Sequence, residues 1–100
     1  MFEVDGVVYT LKYNLQKLKT VETVAGASIL GEIAKNNGVL PLNLLEQLFS
    51  FGLVEEKTNK AVPQKQAIEM FEKVVEKNGF LTVNMMIVEK LQADLGFMFR

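Results

Sequence analysis

The sequence predicts an α+β fold, mainly α: an N-terminal β-hairpin followed by about five short helices, in one compact domain spanning residues 1–100. Three observations carry that prediction. An Asp-Gly pair lies early in the chain between two short alternating runs. After residue 14 the apolar spacing changes to a helical period. From there on, Gly, Pro and Asn punctuate the chain at helix-length intervals. With 100 residues, 49% of them apolar and 23% charged, the chain has material for one modest core.

Residues 1–12 form the predicted hairpin. Asp5-Gly6 suits the centre of a type I′ turn, where both positions need positive φ. A turn there sets Val4 opposite Val7, Glu3 opposite Val8 and Phe2 opposite Tyr9. Phe2, Val4, Val7, Tyr9 and Leu11 then share an apolar face, and Glu3, Val8, Thr10 and Lys12 take the other. An isolated hairpin is marginal in water, so the apolar face needs cover from helices or from another chain.

Residues 14–100 read as a helical cluster. Asn14 is an N-cap for a helix carrying Leu15, Leu18 and Val21. That helix weakens at Val24-Ala25-Gly26-Ala27, and Ser28 caps a second one with Ile29, Leu30 and Ile33. Asn36-Asn37-Gly38 ends it, in residues that tolerate a left-handed C-terminal turn. Pro41 suits the first position of a third helix, with Leu44, Leu45, Leu48 and Phe49 as its stripe through Phe51. The span 52–62, with Glu55, Glu56, Lys57, Asn59 and Lys60, is the most polar part and the expected mobile loop. Pro63 opens a fourth helix bearing Ala67, Ile68, Phe71, Val74 and Val75. Glu69–Lys73 and Lys73–Glu76 pairs are expected on its wet face. Asn78-Gly79 stops it, and a fifth helix starts near Thr82, with Val83, Ile87, Leu91 and Met98 on one stripe.

Composition excludes much chemistry. Eleven basic residues face twelve acidic ones for a net charge of -1, which leaves no electrostatic footprint for nucleic acid or an anionic membrane. The chain contains no Cys and no His. Disulfides, thiol nucleophiles and thiolate metal sites are therefore ruled out, along with the commonest general base and metal ligand. No stretch approaches the ~18 apolar residues of a membrane span, and residues 1–10 lack the basic and apolar regions of a signal peptide. The expectation is a cytoplasmic binding protein, not an enzyme, with no cofactor and no metal.

The remaining motifs are weak. Asn37-Gly38-Val39-Leu40-Pro41-Leu42-Asn43 recurs as Asn78-Gly79-Phe80-Leu81-Thr82-Val83-Asn84. Each copy has the outline of the second half of a calcium-binding helix–loop–helix, but the carboxylates before the glycine are missing, and Leu44 and Met85 stand where the bidentate Glu belongs. A glycine C-cap followed by a new helix accounts for both copies, and a metal-free adaptor built on such a pair is the alternative functional reading. Gly26 to Gly31 has phosphate-loop spacing, but Glu32 replaces the lysine. Glu55-Glu56 reads as a solvated pair, and Lys12, Lys17 and Lys19 read as a wet helix face without an aromatic platform.

The C-terminal end is unusually apolar for a chain terminus. Leu95-Gly96-Phe97-Met98-Phe99 follows a helix that already carries apolar residues around most of its circumference, and such a helix needs cover on several sides. Either the hairpin covers it, or it docks a partner or a second copy of the chain. Met85, Val88, Leu95, Phe97, Met98 and Phe99 are the candidate partner-binding residues.

Several segments together carry a family resemblance. They are Phe2-Glu3-Val4-Asp5-Gly6 with Tyr9 and Leu11, Leu30-Gly31-Glu32, Asn36-Asn37-Gly38-Val39-Leu40 and Leu48-Phe49-Ser50-Phe51-Gly52-Leu53. The charged gap to Pro63 and the segment from Phe71-Glu72-Lys73 to Asn78-Gly79-Phe80 complete the set. Over nearly its whole length the chain resembles the small tail assembly chaperones of long-tailed phages and prophages of Gram-positive bacteria. Pro41 departs from the polar cap residue expected at its position. The resemblance implies a non-catalytic protein of the bacterial host cytoplasm that binds the tape measure protein and tail tube subunits during tail morphogenesis. It also implies a longer, frameshifted form beside this one. It supplies no catalytic residues, and a structural tail protein is a further alternative.

Overall fold

The computed structural model describes residues 2–99. The fold is α+β and mainly helical. Strands β1 (Phe2–Val4) and β2 (Val7–Leu11) are followed by helices α1 (Leu15–Ala25), α2 (Ile29–Lys35) and α3 (Leu42–Gly52). Strand β3 (Leu53–Glu55) comes next, then α4 (Gln64–Asn78), α5 (Phe80–Asp94) and a short 3₁₀ turn, Gly96–Phe99.

The hairpin has the expected register, with Phe2 opposite Tyr9, Glu3 opposite Val8 and Val4 opposite Val7. Asp5 and Gly6 have φ of 52° and 81°, the two left-handed positions of the turn. Tyr9 and Leu11 are buried, with Phe2 and Val4 packed against the same core.

The span 52–62 differs from the expected loop. Leu53–Glu55 forms a third strand, antiparallel to β2 with Leu11 opposite Leu53. A tight turn then brings Ala61 back to bridge Val54. Leu53 and Val54 are buried, so the apolar pair that ends α3 fills the free edge of β2, and only the tip of this segment is exposed.

Helix α3 is the centre of the molecule. Leu45, Leu48 and Phe49 are wholly enclosed, and α3 packs against α1, α4, α5 and β2. Phe49 joins the layers, with its ring centroid 5.6 Å from Phe2 of the hairpin and 5.5 Å from Phe71 of α4. The other buried apolar residues, Val54 apart, run from Tyr9 to Leu95 in one continuous cluster.

The caps follow local chemistry. Asn14 Oδ1 accepts from the Lys17 N–H at 2.8 Å and Ser28 Oγ from the Gly31 N–H at 3.1 Å. Glu22 adds a third cap, its carboxylate accepting from the Ile29 N–H at 2.9 Å. Two helix starts are displaced from expectation. Pro41 is the cap of α3, not its first residue. Helix α5 begins at Phe80 instead of near Thr82, because Gly79, at φ 88° and ψ 151°, turns the chain directly from α4 into α5. That conformation is essentially open to glycine alone.

Candidate interaction surface

Helix α5 has one covered face. Val83, Asn84, Ile87 and Leu91 are buried, and Leu95 just beyond the helix continues the same row. On the opposite side Leu81 is 62% and Met85 60% exposed. Val88, half-buried, follows at the next helical step. These positions, at i, i+4 and i+7, form one stripe along the helix. A shallow groove of about 240 Å³ lies between Met85 and Val88 on one side and the Asn37-Gly38 turn on the other. On the other flank of α5, Met86 lines a second groove of about 230 Å³ with Phe2 and Leu11 of the hairpin. The hairpin therefore covers α5 only in part.

Asn84 fixes the wall of the first groove. It is 3% exposed. Its Oδ1 accepts from the Leu40 N–H and its Nδ2 donates to the Gly38 carbonyl, both at 2.8 Å. The two sequence echoes thus meet, but through this amide. The described residues contain no β-bridge between the two glycine joints, so the paired loops of a calcium-binding fold do not form. Among the described residues no group of three acidic side chains is placed to hold a metal.

The six candidate residues fall into two groups. Met85 and Phe97 are exposed, Phe97 by 50%, and Val88 lines the groove rim. Leu95 is a core residue at 3% exposure and is not available for contact. It lies in phase with Ile87 and Leu91. Met98 and Phe99 are half-buried and pack against the core. Helix α5 does not continue to Met98 as expected. It stops at Asp94, and the Met98 N–H closes a 3₁₀ turn on the Leu95 carbonyl at 2.9 Å, which folds the end of the chain back on the body. Among the described residues Leu81 is the most exposed large apolar side chain, and it is not among the six residues expected from the sequence. Its signal was the four-residue spacing to Met85, out of phase with the Val83–Ile87–Leu91 row. Exposed Val24 lines, with Pro41 and Leu44, a cleft of about 330 Å³ between the end of α1 and the start of α3.

One polar cluster stands where the hairpin, α1 and α5 meet. The Tyr13 N–H donates to Asp94 at 2.9 Å, and its buried hydroxyl donates to the Leu48 carbonyl at 2.8 Å. Burial, with a smaller contribution from the Asp94 charge, raises the phenol pKa above its ordinary value. Lys90 pairs with Asp94 at 3.1 Å. Lys17 donates to the Lys12 carbonyl at 2.9 Å. Its pKa is lowered by burial and by Lys12, against the opposing pull of Asp94. The cluster ties α5 to the hairpin exit, and its phenol is enclosed and committed to the α3 backbone.

Comparison with family models, with curated proteins and with solved structures finds no match to this chain. Among the described residues no helix is long and apolar enough to cross a membrane.

Proposed function

We propose that this chain is a non-catalytic assembly chaperone of the kind long-tailed phages use in the cytoplasm of a bacterial host. It would hold the tape measure protein soluble and bring tail tube subunits to it. The observation that carries this reading is the exposure of Leu81 and Met85 on α5, with half-buried Val88 one step beyond them; the kind of client follows from the proposed family resemblance.

The energetics suit a client that is held and then released. Full burial of an exposed Leu or Met side chain gains about 1.5–3 kcal/mol, and these side chains are already partly covered. A docked helix gains a few kcal/mol from the stripe, and much of that is lost to the cost of association. One copy therefore binds weakly. Many copies along a long helical client bind well together through multivalency, and each remains displaceable by the tube that polymerises around the client. Met85 and Met86 add adaptable side chains for a surface that meets many client sequences.

The test is stoichiometry. Sedimentation of this chain with a long helical tape measure protein should give complexes holding many copies per client, and Leu81→Ser with Met85→Ser should abolish them. A discrete one-to-one complex, or unaltered binding by the double variant, would overturn the proposal.

A further inference from the structure

Helices α4 and α5 are joined by a single residue, Gly79. The helical ladder is kept on either side of it. The Gly79 N–H donates to the Val75 carbonyl at 2.8 Å, and the Val83 N–H donates to the Gly79 carbonyl at 3.2 Å. Three rungs are missing between them. Among the described residues the N–H groups of Phe80, Leu81 and Thr82 have no protein acceptor, and the carbonyls of Glu76, Lys77 and Asn78 have no protein donor. These are the i→i−4 partners of one unbroken helix. Rotation at Gly79 alone, from φ 88° and ψ 151° to helical values, closes all three. Among the described residues no ion pair braces the joint: the expected Glu69–Lys73 and Lys73–Glu76 pairs do not form, and the one ion pair is Lys90–Asp94, within α5.

A straightened α4–α5 helix cannot stay on one body. Two 15-residue helices and the glycine, end to end, measure about 46 Å at 1.5 Å per residue, against a longest dimension of 37 Å for the whole fold. Straightening therefore lifts α5 from its bed and uncovers Val83, Ile87, Leu91 and Leu95. The bed that fits this row is the one α5 leaves. It comprises the α3 and α4 surface, the Leu40 and Gly38 groups that Asn84 holds, and the Tyr13 N–H that meets Asp94. A second copy of the chain, opened in the same way, offers an identical bed. The opened form also has a seam of its own. Val74, Asn78, Leu81, Met85 and Val88 alternate spacings of four and three, the period of two packed helices. Two straight helices crossing antiparallel at the joint set Val74 opposite Met85 and Asn78 opposite Leu81. That contact covers Leu81 and Met85, 62% and 60% exposed in the closed form.

We propose that Gly79 is a hinge through which two copies of this chain exchange α5, giving a dimer in which each α5 fills the other copy's body. Exchange remakes the α5 contacts between copies instead of within one. Contacts away from the joint are the same in both forms, so the hinge and the seam decide the balance. Glycine permits the closed form, because its conformation is essentially closed to other residues. A Cβ placed on Gly79 meets no atom within 4 Å. A side chain there opposes the closed form through backbone strain alone, without a clash. The exchange rests on the joint and not on the chaperone reading, and a client of Leu81 and Met85 would compete with it.

Gly79→Ala in the full chain is the test. Alanine strains both closed monomers and favours the straight helix, so dimerisation should strengthen about thirtyfold or more by sedimentation equilibrium. Two glycines inserted after Gly79 loosen the joint and should leave the chain monomeric. Refolding a mixture of differently isotope-labelled copies reads the exchange itself. An NOE between the Asn84 side-chain amide of one label and Leu40 of the other arises only when α5 has crossed. A monomeric Gly79→Ala variant would overturn the proposal, as would a dimer whose Asn84–Leu40 contact stays within each copy. Should that variant aggregate, the wild-type chain refolded from urea at near-millimolar concentration decides. It should yield a dimer with the cross-copy NOE, absent from the insertion variant, and monomer alone would overturn the proposal.

Discussion

Replacing Asn84 by Asp tests whether one buried amide holds the wall of the groove between α5 and the Asn37-Gly38 turn. Asn84 is 3% exposed, and its two bonds to Leu40 and Gly38 measure 2.8 Å each. Aspartate keeps the shape and the acceptor for Leu40, but sets an ionised oxygen against the Gly38 carbonyl. Loss of that buried bond costs about 1–3 kcal/mol, and the unpaired buried carboxylate adds to it until it takes up a proton. Burial raises the pKa of the new acid above its unfolded value of about 3.9. A raised folded pKa means that stability is retained below the unfolded value and lost as pH rises through the folded one. The variant should therefore approach wild-type stability near pH 4, where the protonated acid donates to Gly38, and fall well below it near pH 8. Asn84→Ala has no titrating group and should cost about 2–4 kcal/mol at both pH values, since the Leu40 N–H and Gly38 carbonyl both lose their partner. Urea unfolding followed by circular dichroism reads these differences. A pH-independent deficit for Asn84→Asp, or a cost for Asn84→Ala below about 1 kcal/mol, would refute the clamp.

Three further outcomes follow from the same packing. Gly52→Ala places a Cβ 2.6 Å from the Tyr13 ring, which its hydroxyl bond to Leu48 prevents from retreating. Thermal denaturation should show a loss of about 1–3 kcal/mol, shrinking when Tyr13 is also cut to Ala. The raised phenol pKa of Tyr13 stabilises the fold below the ordinary tyrosine value, a contribution lost as pH rises past about 10 while the unfolded chain ionises. Tyr13→Phe should accordingly flatten the alkaline unfolding profile. Leu81→Ser with Met85→Ser should leave the melting transition close to that of wild type, since surface changes cost about 0.5 kcal/mol or less each.

The hairpin was legible because turn chemistry and alternation agree: Asp5-Gly6 fixes the register, and the register fixes the inward face. Asn14 and Ser28 were legible as caps because their side chains act on backbone groups three residues away. Strand β3 was not. Leu53–Glu55 is too short to show a period, and what makes it a strand is the free edge of β2, more than forty positions earlier in the chain. The start of α5 was obscured because Thr82 has the chemistry of a cap, while Gly79 reaches a backbone conformation that makes a polar cap unnecessary. At the surface, Met85 and Phe97 stood out as apolar residues outside the core row. Leu95 belongs to that row, and the 3₁₀ turn that tucks in Met98 and Phe99 depends on contacts with the folded body that spacing does not record.

The most direct measurement is coexpression of this chain with the tape measure protein of a long-tailed phage, followed by the amount of that product left in solution after centrifugation. That product should be insoluble alone, soluble beside the wild-type chain, and insoluble again beside Leu81→Ser with Met85→Ser. A product that stays insoluble beside the wild-type chain, or that the folded double variant keeps in solution equally well, would contradict the chaperone reading.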